Sequence, residues 1–254
     1  MIFVKSVKSN FSSGELRGDH IARSLGTKCF INAAPVRNDV VVFVKFADPI
    51  IVFNAKEAGN LIVYDVLDYF CYGDRKVQFA DTVDVVIVPN LASVEFYKMI
   101  FPKAKFTLIP HQWDYRIEGR APQDAYRPGY IGEAFNMTPR WHGEAVTDKD
   151  EFLKAAPRFN LHIAINAPTR RLLKPATKVV TAAAVGANVL TMADPSALEL
   201  VGLDYPYIYV GEGFERVEND FGSSTWKRGL ETMEKVRERT SLEAVSKLYR
   251  DGLA

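Results

Sequence analysis

Cysteine is scarce. The chain has two in 254 residues, Cys29 and Cys71, in the unrelated contexts TKCFIN and DYFCYG. That count and spacing argue for buried free thiols in a reducing compartment, and against a disulfide framework or a cysteine-based zinc site. An excess of one charge is also missing: 32 basic against 31 acidic residues leave a formal net charge of +1. A broad nucleic-acid surface would need a basic excess, so nucleic acid is not expected as a partner and any phosphate recognition must be local. No stretch approaches the roughly 20 apolar residues needed to cross a bilayer. The opening MIFVKSVKSN lacks the long apolar core of a secretory signal, so a cytoplasmic protein is expected. A G-x-G-x-x-G fingerprint is absent, as is any cluster of metal-ligand residues, so neither a metal nor a bound cofactor is expected.

Hydrophobic residues make up 48% and charged residues 25% of the chain, the balance of a soluble globular protein long enough for one large or two modest domains. The first part alternates short apolar runs with helix-like segments. Strands are expected at 2–7, 28–33, 40–46, 61–66, 83–89 and 105–110, and helices at 15–25, 48–59, 69–81 and 91–100. Four of these runs carry Val and Ile at both alternating positions, as in strands covered on two faces. The polar segment 111–130, with prolines and glycines, reads as a linker. The alternation then restarts, with strands at 129–133, 159–166, 188–192 and 207–211 and helices at 148–156, 175–185 and 195–202. The tail from Thr225 to Leu253 is rich in Glu, Lys, Arg and Leu and suits one long helix or two consecutive ones. The expected fold class is α/β, with two sheet-centred domains, 1–112 and 113–254, facing one another across the linker.

In parallel sheets, ligands sit beyond the carboxyl ends of strands, which singles out three loops. The first, SNFSSGELRGDHIARSLG, follows the first strand. It offers Gly14 for close backbone approach and presents Arg17, Asp19 and His20 on the helix that follows, with Asp19 or His20 as a candidate base; its plainer role is a turn and a solvated helix face. The second, YDVLDYFCYGD, puts Asp65 and Asp68 at a strand end and helix entry. Capping suits at least one of them better than a metal does, because nothing nearby supplies further ligands. The third, RRLLKPATKVVTAAAVGANVLTMAD, gathers Arg170, Arg171, Lys174 and Lys178 about a helix that Pro175 opens. Cations at a helix start work against its dipole, whereas the free amides of a first turn bind phosphate. An anion reconciles the two. Thr177 and Thr181, one turn apart, can share a helix face.

Here the chain resembles the nucleotide-sugar-dependent glycosyltransferases of the GT-B fold. Many of these carry a donor-site pattern like K-x-x-E-A-x-A-x-G-x-P-V, and this sequence reads Lys178-Val-Val-Thr181-Ala182-Ala-Ala184-Val-Gly186-Ala-Asn188-Val189 in the same register. SSGELRG, ADTVDVVIVPN and LIPHQWD extend the likeness in layout. The retaining members' Glu-x7-Glu falls on Leu173 and Thr181, and Asn188 stands where a proline often follows. The resemblance implies two Rossmann-like domains facing across a cleft, acceptor on the first and nucleotide sugar on the second. It implies that Lys178 with Arg170 or Arg171 neutralises the diphosphate, helped by Lys174. Thr177 and Thr181 contact phosphate or ribose, and Gly132 and Glu133 lie near the nucleotide. Gly14, Arg17, His20 and His111 face the acceptor, with Asp19 or His20 as base. The resemblance implies a glycan, lipid-linked or small-molecule acceptor. Lys227 and Arg228 suit peripheral association with a membrane as well as solvent. A nucleotide-sugar epimerase or hydrolase on the same architecture, and a non-catalytic two-lobed nucleotide-binding protein, stand as alternatives.

Overall fold

A computed structural model of the chain describes residues 1–5, 14–67, 77–165, 174–211 and 214–253. The chain divides into two compact units: Met1–His111 with Leu172–Pro175 and Leu242–Ala254, and Gln112–Arg171 with Ala176–Ser241.

In the first unit, β1 (Ile2–Lys5), β2 (Cys29–Ile31), β3 (Val40–Val44), β4 (Leu61–Asp65), β5 (Val85–Val88) and β6 (Lys105–Leu108) form one parallel sheet in the order β2-β1-β3-β4-β5-β6. A π-helical turn, Glu15–His20, runs into α1 (Ile21–Ser24); α2 (Pro49–Glu57) and α3 (Ala92–Ile100) are the crossover helices that follow. The paired apolar residues of each strand explain the two covered faces. Val41 and Phe43 pack with Val52 and Ala55 of α2 and Tyr97 of α3, whereas Val42 and Val44 pack with Ile21 on the opposite face. The start of α2 is fixed locally: Asp48 accepts a hydrogen bond from the Ile50 N–H at 2.8 Å, with Pro49 at the first helical position.

In the second unit, β7 (Pro128–Ile131), β8 (Ala145–Val146), β9 (Leu161–Ala164), β10 (Asn188–Met192) and β11 (Ile208–Tyr209) are again parallel, in the order β11-β10-β9-β7-β8. The two-residue β8 has no counterpart among the strands expected from the sequence. Helices α4 (Phe152–Ala155), α5 (Thr177–Ala184), α6 (Pro195–Val201), α7 (Phe214–Asn219) and α8 (Ser224–Arg239) complete the unit. Its core joins Ile163, Val180, Val189 and Leu190 to Trp226 and Met233 of α8. Between β6 and β7 no regular element forms, as expected of a linker. The stretch is nonetheless tied down, since the Trp113 indole N–H donates to the Arg237 carbonyl at 3.1 Å.

The tail is two helices. α9 (Leu242–Gly252) follows α8 after a short break, and Val245, Tyr249 and Leu253 enter the core of the first unit beside Phe3 and Val63. The sequence reading groups the whole tail with the second half; an amphipathic pattern shows that a helix is covered but not by what.

Candidate functional site

Both sheets reverse their strand order beside their first strand, with the second strand on one side and the third on the other. In open parallel sheets such a reversal leaves a crevice at the carboxyl ends of the two diverging strands, where ligands bind. In the second unit the reversal lies between β7 and β9. The chain leaving β7 carries Gly132, and among the described residues α5 is the next helix after β9.

Lys178, in the first turn of α5, sets its ammonium head over the ring of Tyr130, 3.4 Å from the centroid. Its Nζ is shielded from solvent and has no hydrogen-bond partner among the described residues. Burial disfavours the charged form and brings the Lys178 pKa down to about 7. Tyr130 is fully buried, and its hydroxyl donates to the Glu133 carbonyl at 2.8 Å. Burial first, and then Glu133, push the phenol up to about 12. Gly132 has φ +149°, and a Cβ there would lie 2.8 Å from Lys178 Nζ and 3.0 Å from the Tyr130 hydroxyl oxygen. Only glycine fits beside this lysine. Below it on β9, buried His162 donates from Nε2 to the Ala156 carbonyl at 3.0 Å. Burial, with a contribution from Lys178, holds its pKa at about 4.

Ala176 is the N-cap of α5, and among the described residues no side chain caps its amides. Pro175 therefore lies just before the cap, not in the first turn as the sequence suggests. Thr177 is exposed, and the Thr181 hydroxyl donates to its carbonyl at 2.9 Å, leaving the Thr181 oxygen to accept. Lys174 is exposed. Glu133 is ion-paired to Lys149 at 2.5 Å. Arg170 and Arg171 lie outside the described residues. Further along the motif, Ala182 and Ala183 are fully buried and Gly186 closes the helix at φ +67°. Asn188 donates its amide to the Trp226 carbonyl at 3.1 Å and accepts from the Tyr205 hydroxyl at 3.3 Å. At the motif's proline position it is thus a structural tie from β10 to α8, which sequence alone gave no reason to expect.

The reversal in the first unit lies between β1 and β3. There Lys5, only 6% exposed, is ion-paired to Asp19. Cys29 lies beside Gly18, its thiol pushed up to about 12 by burial and then by Asp19. His20 is buried, with Nε2 3.8 Å from Glu15 Oε1. Gly14 directly precedes the π-helical turn in a right-handed conformation, and His111 is buried at the end of the unit. Arg17 requires a correction. Expected on the acceptor side, it is 1% exposed, donating from Nε to Asp65 at 2.9 Å and from Nη1 to the Pro110 carbonyl at 2.7 Å. Its guanidinium also lies over the Tyr249 ring, 5.0 Å from the centroid, and the Tyr249 hydroxyl donates to Asp65. Arg17 therefore pins α9 to the sheet. By the same contacts Asp65 is an ion-pair residue. Asp68 and Cys71 lie outside the described residues. Among the described residues no three His, Cys, Asp or Glu side chains converge on a metal-sized site, and no helix is long and apolar enough to cross a membrane.

No protein-family model matches the chain and no curated protein matches it by sequence. Solved structures do match it. A glycosyltransferase from Rickettsia africae ESF-5 superposes with a TM-score of 0.67 at 10% identity, covering 98% of this chain and 97% of that one. HepE from Anabaena in complex with UDP gives 0.61 at 12% identity, and its complex with UDP-glucose gives 0.62 at 11%; each covers 99% of this chain and 98% of that one. The fold is that of these glycosyltransferases. The two Rossmann-like α/β units expected from the GT-B resemblance are present, and the match covers nearly all of each chain.

Proposed function

We propose that the chain is a glycosyltransferase moving a sugar from a nucleotide diphosphate sugar to a glycan, lipid-linked or small-molecule acceptor. The observation that carries this reading is the Lys178 ammonium, shielded and without a hydrogen-bond partner among the described residues, in the first turn of a helix where strand order reverses. A buried cation with no counter-ion costs folding free energy, and an arriving anion relieves that cost. The first-turn amides of α5 and the positive end of its dipole add to the attraction. The UDP and UDP-glucose bound by Anabaena HepE support a nucleotide diphosphate sugar as the donor class.

In the transfer, the bond from the anomeric carbon to the diphosphate oxygen breaks and a bond to the acceptor oxygen forms. Negative charge grows on the leaving diphosphate, so a fixed cation stabilises the transition state more than the bound donor. Lys178 takes that role, with Arg170 or Arg171 and Lys174 as further cations. Thr177 and Thr181 contact phosphate or ribose, while Gly132 and Glu133 border the nucleotide. The acceptor's proton passes to a base of the first unit. Asp19, with 31% of its side chain exposed against 3% for His20, is the more accessible of the two candidates, and Gly14 and His111 are assigned to the acceptor side. The reading involves no metal or organic cofactor, and turnover should persist in excess chelator. It sets the protein in the cytoplasm.

A thermal-shift screen with UDP, GDP, ADP, dTDP and their sugars, followed by a nucleoside-diphosphate release assay, tests the proposal. Stabilisation by one nucleoside diphosphate is expected, because a ligand that binds only the folded state raises its melting temperature. Indifference to every nucleotide would overturn the donor site. Binding without release for any acceptor would leave a nucleotide-binding protein, and release without acceptor a hydrolase.

A further inference from the structure

Donor binding as described assigns a role to Lys178 but none to Tyr130, the group its ammonium actually meets. Tyr130 is fully buried on β7, and its ring face lies 3.4 Å from Lys178 Nζ. The hydroxyl, held on the Glu133 carbonyl at 2.8 Å, fixes the plane of that ring. Among the described residues, two titratable groups near this lysine are engaged elsewhere or uncharged. Glu133 is paired with Lys149, and His162, at a pKa of about 4, is neutral at physiological pH.

An aromatic face attracts a cation through its quadrupole but carries no net charge. A carboxylate in its place would neutralise the lysine and repel a diphosphate, as Asp19 neutralises Lys5 in the first unit. An aliphatic side chain would give the ammonium nothing to rest on. We propose that Tyr130 is a positioning residue whose ring holds the Lys178 ammonium in place without neutralising it, keeping that charge available to the donor's diphosphate. The last clause rests on the donor-site reading above; the pairing of ring and lysine does not.

The test follows the Lys178 13Cε resonance of the full chain by NMR, assigned by its loss in Lys178→Met. Without ligand, the wild-type midpoint should fall near pH 7. Tyr130→Phe should stay within about half a pH unit of it. Tyr130→Leu, or Tyr130→Met should leucine unfold the unit, should move it by about a unit or more, as the ring's attraction is lost and water takes its place. With pyrophosphate, the moiety common to nucleotide diphosphate sugars, Tyr130→Phe should bind within about twofold of wild type and Tyr130→Leu at least about fivefold more weakly. Tyr130→Leu should add no loss in the Lys178→Met background. An unmoved midpoint in Tyr130→Leu, equal losses for Phe and Leu, or additivity with Lys178→Met would overturn the proposal. Should pyrophosphate leave Lys178 undisturbed while its midpoint still depends on the ring, the donor reading falls and the pairing stands.

Discussion

Each unit places a lysine where its strand order reverses, and the two lysines are treated in opposite ways. In the first unit Lys5 is closed off by Asp19, and the carboxyl edge is bound internally by the buried Arg17–Asp65–Tyr249 cluster. In the second unit Lys178 meets a ring and, among the described residues, no carboxylate. Backbone conformation divides the units too. Among the described residues, the non-glycine positions with positive φ are Asn32, Asn38, Lys45 and Leu67, all in the first unit. Asn32, Lys45 and Leu67 follow the carboxyl ends of β2, β3 and β4. The second unit uses glycine for its left-handed turns, as at Gly132 and Gly186. An edge that satisfies its own charges is suited to a neutral, hydroxyl-bearing ligand, whereas an edge with an unbalanced cation is suited to an anion.

The largest effect is expected from breaking the first edge. Asp65→Ala leaves the Arg17 guanidinium buried without its carboxylate, and removing one member of a buried ion pair costs about 3–5 kcal/mol. Urea unfolding should show that loss, and a change under about 1 kcal/mol would mean that the cluster does not hold α9. Next in size is a pH effect in the second unit. His162 has a folded pKa of about 4, below the roughly 6.5 of an unfolded chain. The unfolded state therefore binds more protons between these values, and stability falls as pH drops from about 6.5 to about 4, by up to about 3 kcal/mol. His162→Gln should remove that slope from the pH profile of unfolding. Gly132→Ala is smaller, at about 1–3 kcal/mol for a non-glycine residue in that conformation. It should also weaken nucleotide diphosphate binding several-fold, because the new Cβ crowds Lys178 Nζ. Unchanged binding would place the ligand away from Lys178.

Most of the fold is legible in the sequence because Val and Ile at successive positions can be buried only in strands covered on both faces. Val41 to Val44 show this, two to each side. The short β8 carries too few residues to produce any pattern. Destination is harder to read than structure. Leu242, Val245 and Tyr249 announce a helix stripe, but nothing local says that the stripe belongs to the first sheet. Lys178 was legible from the conflict between its charge and the helix dipole. Its relation to Tyr130, like that of Arg17 to Asp65, joins residues 48 apart in the chain, and pairings of that span follow from the sheet and not from any motif.

Calorimetric titration of the nucleoside diphosphate that best stabilises the protein into wild type and Lys178→Ala bears most directly on the cation of the second edge. A charge-assisted contact contributes roughly 1.5–3 kcal/mol, so the variant should bind at least about tenfold more weakly. Equal dissociation constants for the two proteins would contradict the assignment of this lysine to the diphosphate.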